Sequence, residues 1–170
     1  MFNYLNLIKT KAGEQTRLIL DLRGNPGGPP LAAREISSFF LTPTREFAYF
    51  EIKNKPKALL TVPTIASEHR YNGPVAILVN EKSGSASELF SGVMQKNNRA
   101  TLLGTPTAGQ VFLKSMFYFA DDSMVLLVTG RGHYPDGSVF SFNGVQPNYV
   151  FDPQEPNLVN YAAKYLLKYK

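Results

Sequence analysis

Residues 18–28 read LILDLRGNPGG, and this stretch decides the fold. Four of its first five residues are leucine or isoleucine, which predicts a strand covered on both faces. The glycines that follow allow positive φ angles, so a substrate carbonyl can approach the backbone of the turn. Pro29 and Pro30 have no N–H, and the available donors are therefore mainly those of Gly27 and Gly28. Such a turn suits an oxyanion hole, a phosphate site or a simple chain reversal.

A second strand-turn-helix pattern lies at residues 74–96. PVAILV (residues 74–79) is apolar, NEKSGSASE (residues 80–88) is rich in small residues, and the apolar residues beyond recur at helical spacing. A hydroxyl at this elbow, that of Ser85, would lie at a helix N-terminus, where free N–H groups stabilise a developing anion. An ordinary N-cap serine is the alternative. Glu88 completes a capping-box pattern with Ser85, and we expect it to be structural.

The remaining pattern predicts an α/β fold. Helices are expected at residues 3–11, 31–40, 85–96 and 157–169, and strands at residues 17–22, 47–52, 59–62, 75–79 and 100–103. The strand-helix-strand unit around the elbow is expected to be parallel and right-handed. Antiparallel strands are expected at residues 111–119, 124–128 and 139–142. The fold class is therefore a mainly parallel sheet flanked by helices, followed by C-terminal antiparallel strands.

Composition narrows the class of protein. With 170 residues, 44% of them hydrophobic, the chain can bury a full core as one domain. It has no apolar run long enough to span a membrane, no signal-peptide pattern, and no cysteine for a disulfide or a thiolate metal site. The net charge of +5 comes without a basic helix or an aromatic-basic ladder, so we expect no nucleic-acid partner. Asp21 and Arg23 are expected to brace the first turn through an ion pair or through backbone hydrogen bonds.

Four motifs occur in the order found in a known family. They are LDLRGNPGG (residues 20–28), PVAILVNEKSGSASE (residues 74–88), RATLLGTPTAG (residues 99–109) and GVQPN (residues 144–148). In these motifs the chain resembles the C-terminal-processing, or tail-specific, serine peptidases, whose core is related to the crotonase and Clp protease fold. The resemblance implies that Ser85 is the nucleophile and that the N–H groups of Gly28 and Ala86 form the oxyanion hole. It also implies a polypeptide substrate, bound by its C-terminal segment, and no cofactor.

The general base departs from the family pattern. In the lysine-dyad branch a base Lys follows the Thr-x-Gly segment and a Gln lies four residues later, whereas this chain has Gln110 first and Lys114 second. Lys114 could act as a base only if the chain bulges or turns between Gly109 and Lys114, since a solvated lysine stays protonated. In the tricorn-like branch an upstream His is the base and a Glu orients it, but residues 141–143 contain no Glu. His69 and His133 are further candidates, with surface roles as the alternative.

The resemblance also implies an upstream segment and a PDZ-like domain before the LDLR strand, and here only about twenty residues precede that strand. We expect residues 1–170 to form a single peptidase-like catalytic domain that lacks these parts. Members of the family are often exported, and the sequence leaves compartment and oligomeric state open. The predicted function is a serine endopeptidase with an acyl-enzyme at Ser85 and an incomplete or atypical base. The alternatives are an inactive relative that serves as a peptide-binding or scaffold module, and an acyl-CoA enzyme of crotonase type.

Overall fold

The computed structural model describes residues 16–43 and 45–168, and the helix predicted at residues 3–11 lies outside them. The described residues form two four-stranded sheets and three α-helices. In chain order the elements are β1 (Leu18–Asp21), α1 (Pro30–Ser37), β2 (Glu46–Ile52), β3 (Ala58–Thr61), β4 (Val75–Val79), α2 (Ala86–Lys96), β5 (Thr101–Gly104), β6 (Phe112–Tyr118), β7 (Met124–His133), β8 (Tyr149–Val150) and α3 (Leu158–Leu167). None of the described helices is long and apolar enough to cross a membrane.

The first sheet is parallel throughout, in the order β1-β4-β5-β8. Its central strand β4 is buried along its whole length because both of its faces are covered. Val75, Ile77 and Val79 belong to the larger hydrophobic cluster, which also contains residues of α1 and α2. Ala76 and Leu78 belong to a second cluster with residues of α3. This two-sided burial explains why the strand is an uninterrupted apolar run.

The parallel pairing of β1 with β4 sets the position of the two turns singled out in the sequence. Asp21 at the end of β1 is in register with Leu78 of β4, and the Leu22 N–H donates to the Leu78 carbonyl over 2.9 Å. Because the strands run in the same direction, the turns that follow them emerge at the same edge of the sheet. The turn after β1 and the elbow after β4 are therefore neighbours.

The second sheet is antiparallel, in the order β3-β2-β7-β6. Its strands have unequal overlap, because β2 pairs with β7 only at residues 130–133. Residues 124–128 of β7 pair with β6 alone. The hairpin formed by β6 and β7 therefore projects beyond the rest of the sheet.

The predicted fold class is confirmed, and three of its details are corrected. The strand predicted at residues 139–142 is wrong: after a hydrogen-bonded turn at residues 134–137, only Val139 forms a bridge, to His133. Helix α1 ends at Ser37 rather than near residue 40, because the Ser37 and Ser38 hydroxyls donate to carbonyls three residues earlier and favour a turn. Strand β8 was not predicted, since two residues carry no periodic pattern.

Gly104 provides a test of the close packing between β5 and β4. Its φ is +134°, and a Cβ at this position would collide with the carbonyl oxygen of Val79. We expect Gly104→Ala to lower the free energy of unfolding, measured by urea denaturation, by about 3 kcal/mol. The control is Gly137→Ala, where φ is +86° but the nearest atom, Tyr49 Oη, is 3.9 Å away. Backbone strain alone should cost about 1–2 kcal/mol there, and equal losses in the two variants would contradict the collision.

Candidate active site

The elbow between β4 and α2 holds Ser85 in an unusual backbone conformation. Its φ and ψ are 51° and −114°, outside the regions that residues other than glycine ordinarily adopt. Such strain costs about 1–3 kcal/mol and persists only where the surroundings impose it. The Ser85 N–H donates to Glu88 Oε2 over 2.8 Å, and the Leu89 N–H donates to the Ser85 carbonyl over 2.9 Å. A strained strand-to-helix turn of this kind is how many hydrolases expose a nucleophilic serine.

The carboxylate of Glu88 is fully buried and accepts four hydrogen bonds. Oε2 accepts from the N–H groups of Ser85 (2.8 Å) and Gln110 (2.7 Å), and Oε1 accepts from the N–H of Gly109 and the hydroxyl of Thr107 (both 2.6 Å). A buried charge is tolerated only when donors compensate its lost hydration, as these four do. Glu88 therefore connects the elbow to residues 107–110, and the backbone of Gln110 lies beside that of Ser85.

The capping-box prediction is confirmed by the contact between Glu88 and the Ser85 N–H. The three other donors to this carboxylate were not predicted, because they lie 19 to 22 residues further along the chain. Thr107 is the residue that the sequence analysis missed. Its hydroxyl donates to Glu88 and accepts from the N–H of Val145 over 2.7 Å, so it connects the closing GVQPN motif to the site. Thr107 lies within TPTAG (residues 105–109), and this motif is the sequence signal that could have identified it.

The turn after β1 packs directly against the elbow. A Cβ placed on Gly27 would lie 2.7 Å from the Ala86 nitrogen and 2.9 Å from Ser85 Cβ, closer than side chains can approach. The Gly84 N–H also donates to the Asn25 carbonyl over 3.0 Å. The two Gly-containing turns thus meet backbone to backbone at the end of the parallel sheet.

The donors of this turn are fewer than the sequence suggested. The Gly27 N–H donates to Asn25 Oδ1 over 2.9 Å, so it is not one of the available donors that the sequence analysis expected. Gly28 and Ala86 both line a cavity of about 400 Å³. Its other walls are largely apolar and come from β1, α1 and α2, including Leu20, Ile36 and Phe90. The cavity adjoins the elbow and offers room for an apolar side chain.

Charged and polar side chains fix the turn from its outer side. The predicted ion pair is present: Arg23 Nε and Nη2 donate to the Asp21 carboxylate over 2.9 and 2.6 Å. Hydrogen bonding from Arg23 holds the pKa of the Asp21 carboxyl below its usual range. The Gly24 N–H donates to Asn80 Oδ1 over 2.9 Å, which joins the turn to the loop that precedes the elbow.

Gln110 and Lys114 occupy different environments. Gln110 is exposed, and its N–H anchors it beside the elbow as described above. Lys114 lies on β6, where it is exposed and opposite Val128. The chain bends at Gly109, whose φ is +72°, and the β6–β7 register shifts between residues 113 and 114. A bend and a bulge of the kind that a Lys114 base would require are thus present, but its side chain is exposed on the hairpin.

The two histidines lie in other parts of the fold. His133 is buried in the antiparallel sheet, where its ring stacks on Tyr49 at 4.7 Å and its Nε2 lies 3.2 Å from a Glu51 carboxylate oxygen. His69 ends a short 3-10 turn that precedes β4. Ser85 follows the opposite, carboxyl end of that strand.

Comparison with known proteins identifies the family. Residues 3–151 match the model of Peptidase family S41. The chain belongs to this family. It is 32% identical over 142 residues to a Staphylococcus epidermidis protein named probable CtpA-like serine protease, which covers 84% of this chain and 29% of that protein. It is 31% identical over 144 residues to a carboxyl-terminal-processing protease of Synechocystis, covering 85% of this chain and 32% of that protein.

Solved structures support the fold of the family. The photosystem II D1 C-terminal processing protease superposes with a TM-score of 0.74 at 22% identity, over 96% of this chain and 41% of that one. A lipoprotein from Streptococcus agalactiae superposes with a TM-score of 0.72 at 21% identity, over 98% of this chain and 60% of that one. The resemblance inferred from the four motifs is therefore confirmed. The chain spans about a third of the length of the curated relatives named above.

Because four donors surround the Glu88 carboxylate, we expect a small substitution at this residue to have a large effect on stability. Glu88→Gln keeps the side-chain volume but replaces one acceptor with an NH₂ group that faces protein donors. We expect the free energy of unfolding in urea to fall by about 2–4 kcal/mol. Glu46→Gln, at an exposed position in β2, is the matched control and should change stability by less than about 0.5 kcal/mol. Similar stability of the two variants would argue against a structural role of Glu88.

Proposed function

We propose that this chain is the catalytic portion of a serine endopeptidase that cleaves polypeptides through an acyl-enzyme on Ser85. The observation that carries the proposal is the contact between the Gly27–Gly28 turn and the strained Ser85–Ala86 elbow. Membership of peptidase family S41 supports the same chemistry. The name of the Synechocystis relative supports a substrate that is processed near its C-terminus.

In this proposal Ser85 Oγ attacks the scissile carbonyl, and the carbonyl oxygen becomes an oxyanion. The N–H groups of Gly28 and Ala86 donate to that oxyanion, and the N-terminus of α2 adds its partial positive charge. The tetrahedral intermediate collapses to an ester on Ser85 and releases the C-terminal fragment as an amine. Water then hydrolyses the ester. The cavity beside Gly28 and Ala86 would hold the side chain that precedes the scissile bond.

The proton of the Ser85 hydroxyl requires an acceptor, and the side chain at the family's base position does not provide one. The Gln110 amide is neutral and has negligible basicity at neutral pH. We propose that the isolated chain lacks a complete base and that Gln110 faces Ser85 as a hydrogen-bond partner. The oxyanion donors and substrate binding alone would leave rates several orders of magnitude below those of a complete site. Gln110 is also the observation that favours the second candidate function, a peptide-binding or scaffold module without catalysis.

Covalent labelling by a serine-directed phosphonate tests these roles directly. We expect slow labelling of the natural chain, faster labelling of Gln110→Lys by at least about tenfold, and none of Ser85→Ala. The reason is that the neutral form of an amine at this position can accept the proton of Ser85 while Ser85 attacks phosphorus, whereas a glutamine amide cannot. Lys114→Gln is the control and should label at the rate of the natural chain.

Two outcomes would contradict the proposal. Cleavage of unfolded casein by the natural chain, abolished by Ser85→Ala, would show that the chain already contains a base, and its loss in Lys114→Gln would identify that base. Absence of labelling in both the natural chain and folded Gln110→Lys would reject Ser85 as a nucleophile and favour the binding module.

A pair of glycine substitutions tests the oxyanion hole. In the Gln110→Lys chain we expect Gly27→Ala to reduce phosphonate labelling by about 10²-fold or more, because its Cβ pushes the turn away from Ala86. Gly24→Ala, in the same turn, has a similar positive φ of +71° but no neighbouring atom within 4 Å of its Cβ. It should keep most of the labelling rate. Equal labelling rates in the two variants would show that the position of the turn beside Ala86 does not matter for the reaction.

A further inference from the structure

The β6–β7 hairpin has an unpaired edge and an uncovered apolar face. We define the arm as residues 112–129. Within the described residues β6 is an edge strand of its sheet, and residues 124–128 of the arm pair with β6 alone. A two-stranded ribbon that extends beyond its sheet is only marginally stable in water. Its free edge carries backbone N–H and C=O groups that are available to another strand.

Apolar side chains are exposed on both faces of the arm. Cross-strand neighbours Met116 and Leu126, and Tyr118 and Met124, have their side chains on one face, and Val128, opposite Lys114, extends it. These five residues are 47% to 74% exposed. Phe117 and Leu127, on the other face, are 46% and 48% exposed. The charged residues of the arm are confined to Lys114 near its base and the Asp121–Asp122 turn at its tip. A contiguous apolar face of this kind marks an interaction surface.

The arm begins at the candidate active site. Gln110, whose N–H shares an oxygen of Glu88 with the N–H of Ser85, precedes β6 by two residues. From there β6 runs away from the elbow for about 20 Å. The start of β6 therefore lies near the elbow at which a scissile bond would bind.

We propose that the arm binds an extended apolar segment of a polypeptide substrate as an additional strand along β6 and directs it to Ser85. The polypeptide nature of the ligand rests on the proposed function. An antiparallel strand runs toward the elbow, so the bound segment lies on the N-terminal side of the scissile bond. Alternate side chains of the segment extend the exposed face, which predicts a preference for apolar residues at every second position.

N-methylated peptides test strand addition without changing the protein. The probe is a fluorescein-labelled peptide of about ten residues with alternating valine and threonine, long enough to span β6. Its binding to the Ser85→Ala chain is measured by fluorescence anisotropy, so that no turnover occurs. N–H groups of successive residues in a strand point to opposite edges, so those of every second residue share one edge. Methylation of one alternate set should weaken binding by at least about tenfold, and methylation of the other set by less than about twofold.

A matched pair of protein variants tests the location. In the Ser85→Ala chain, Leu126→Lys places a charge on the apolar face and should weaken binding by about tenfold or more. Leu167→Lys, at a similarly exposed position on α3, should bind like its parent chain. Circular dichroism confirms that both variants are folded. Hydrogen exchange of residues 112–118 should slow when the unmodified peptide binds.

Several results would overturn the proposal. Equal weakening by the two methylation patterns would exclude strand addition, and full binding by Leu126→Lys would exclude the arm. A self-associated chain in sedimentation equilibrium whose arm is protected without peptide, and which binds no peptide, would assign the face to a second copy. Labelling of Ser85 without peptide binding rejects the arm alone, whereas peptide binding without any labelling rejects the catalytic mechanism alone.

Discussion

The buried carboxylate of Glu88 is the constraint on which the rest of the site depends. A charge removed from water must find donors, and here they come from the elbow and from residues 107–110. Satisfying this one group fixes the strained backbone of Ser85 and the start of β6. Through Thr107 it also fixes the loop that carries Val145. The elbow and residues 107–110 are therefore held together by hydrogen bonds to a buried charge as well as by apolar packing.

The site separates backbone architecture from side-chain chemistry. Gln110 is anchored through its N–H, which any residue except proline can supply, and its side chain is exposed. The hydrogen bond from this position to Glu88 therefore does not depend on the side chain at position 110. A glutamine at this position is thus compatible with the fold of the family.

The sequence predicts the parts of the structure that arise from local periodicity and from parallel pairing. The apolar run at residues 75–79 gives β4 with its observed bounds, and the adjacency of the two turns follows from the shared strand direction. Hydrogen bonds made by individual side chains are not predictable in this way. The Asn25 side chain accepts a hydrogen bond from the Gly27 N–H, and three donors from residues 107–110 bind the Glu88 carboxylate. Alternating apolar residues in the arm indicate strands, but they do not show that these side chains stay exposed to solvent.

The pairing of β1 with β4 also has a consequence for folding. Leu18 pairs with Val75, and the segment between them contains α1, β2 and β3. The two turns thus meet only after a long loop has closed, and contacts so distant in sequence form slowly. A partly synthesised or partly folded chain that lacks this pairing has Ser85 without its opposing turn. The arrangement around Ser85 therefore depends on closure of the parallel sheet.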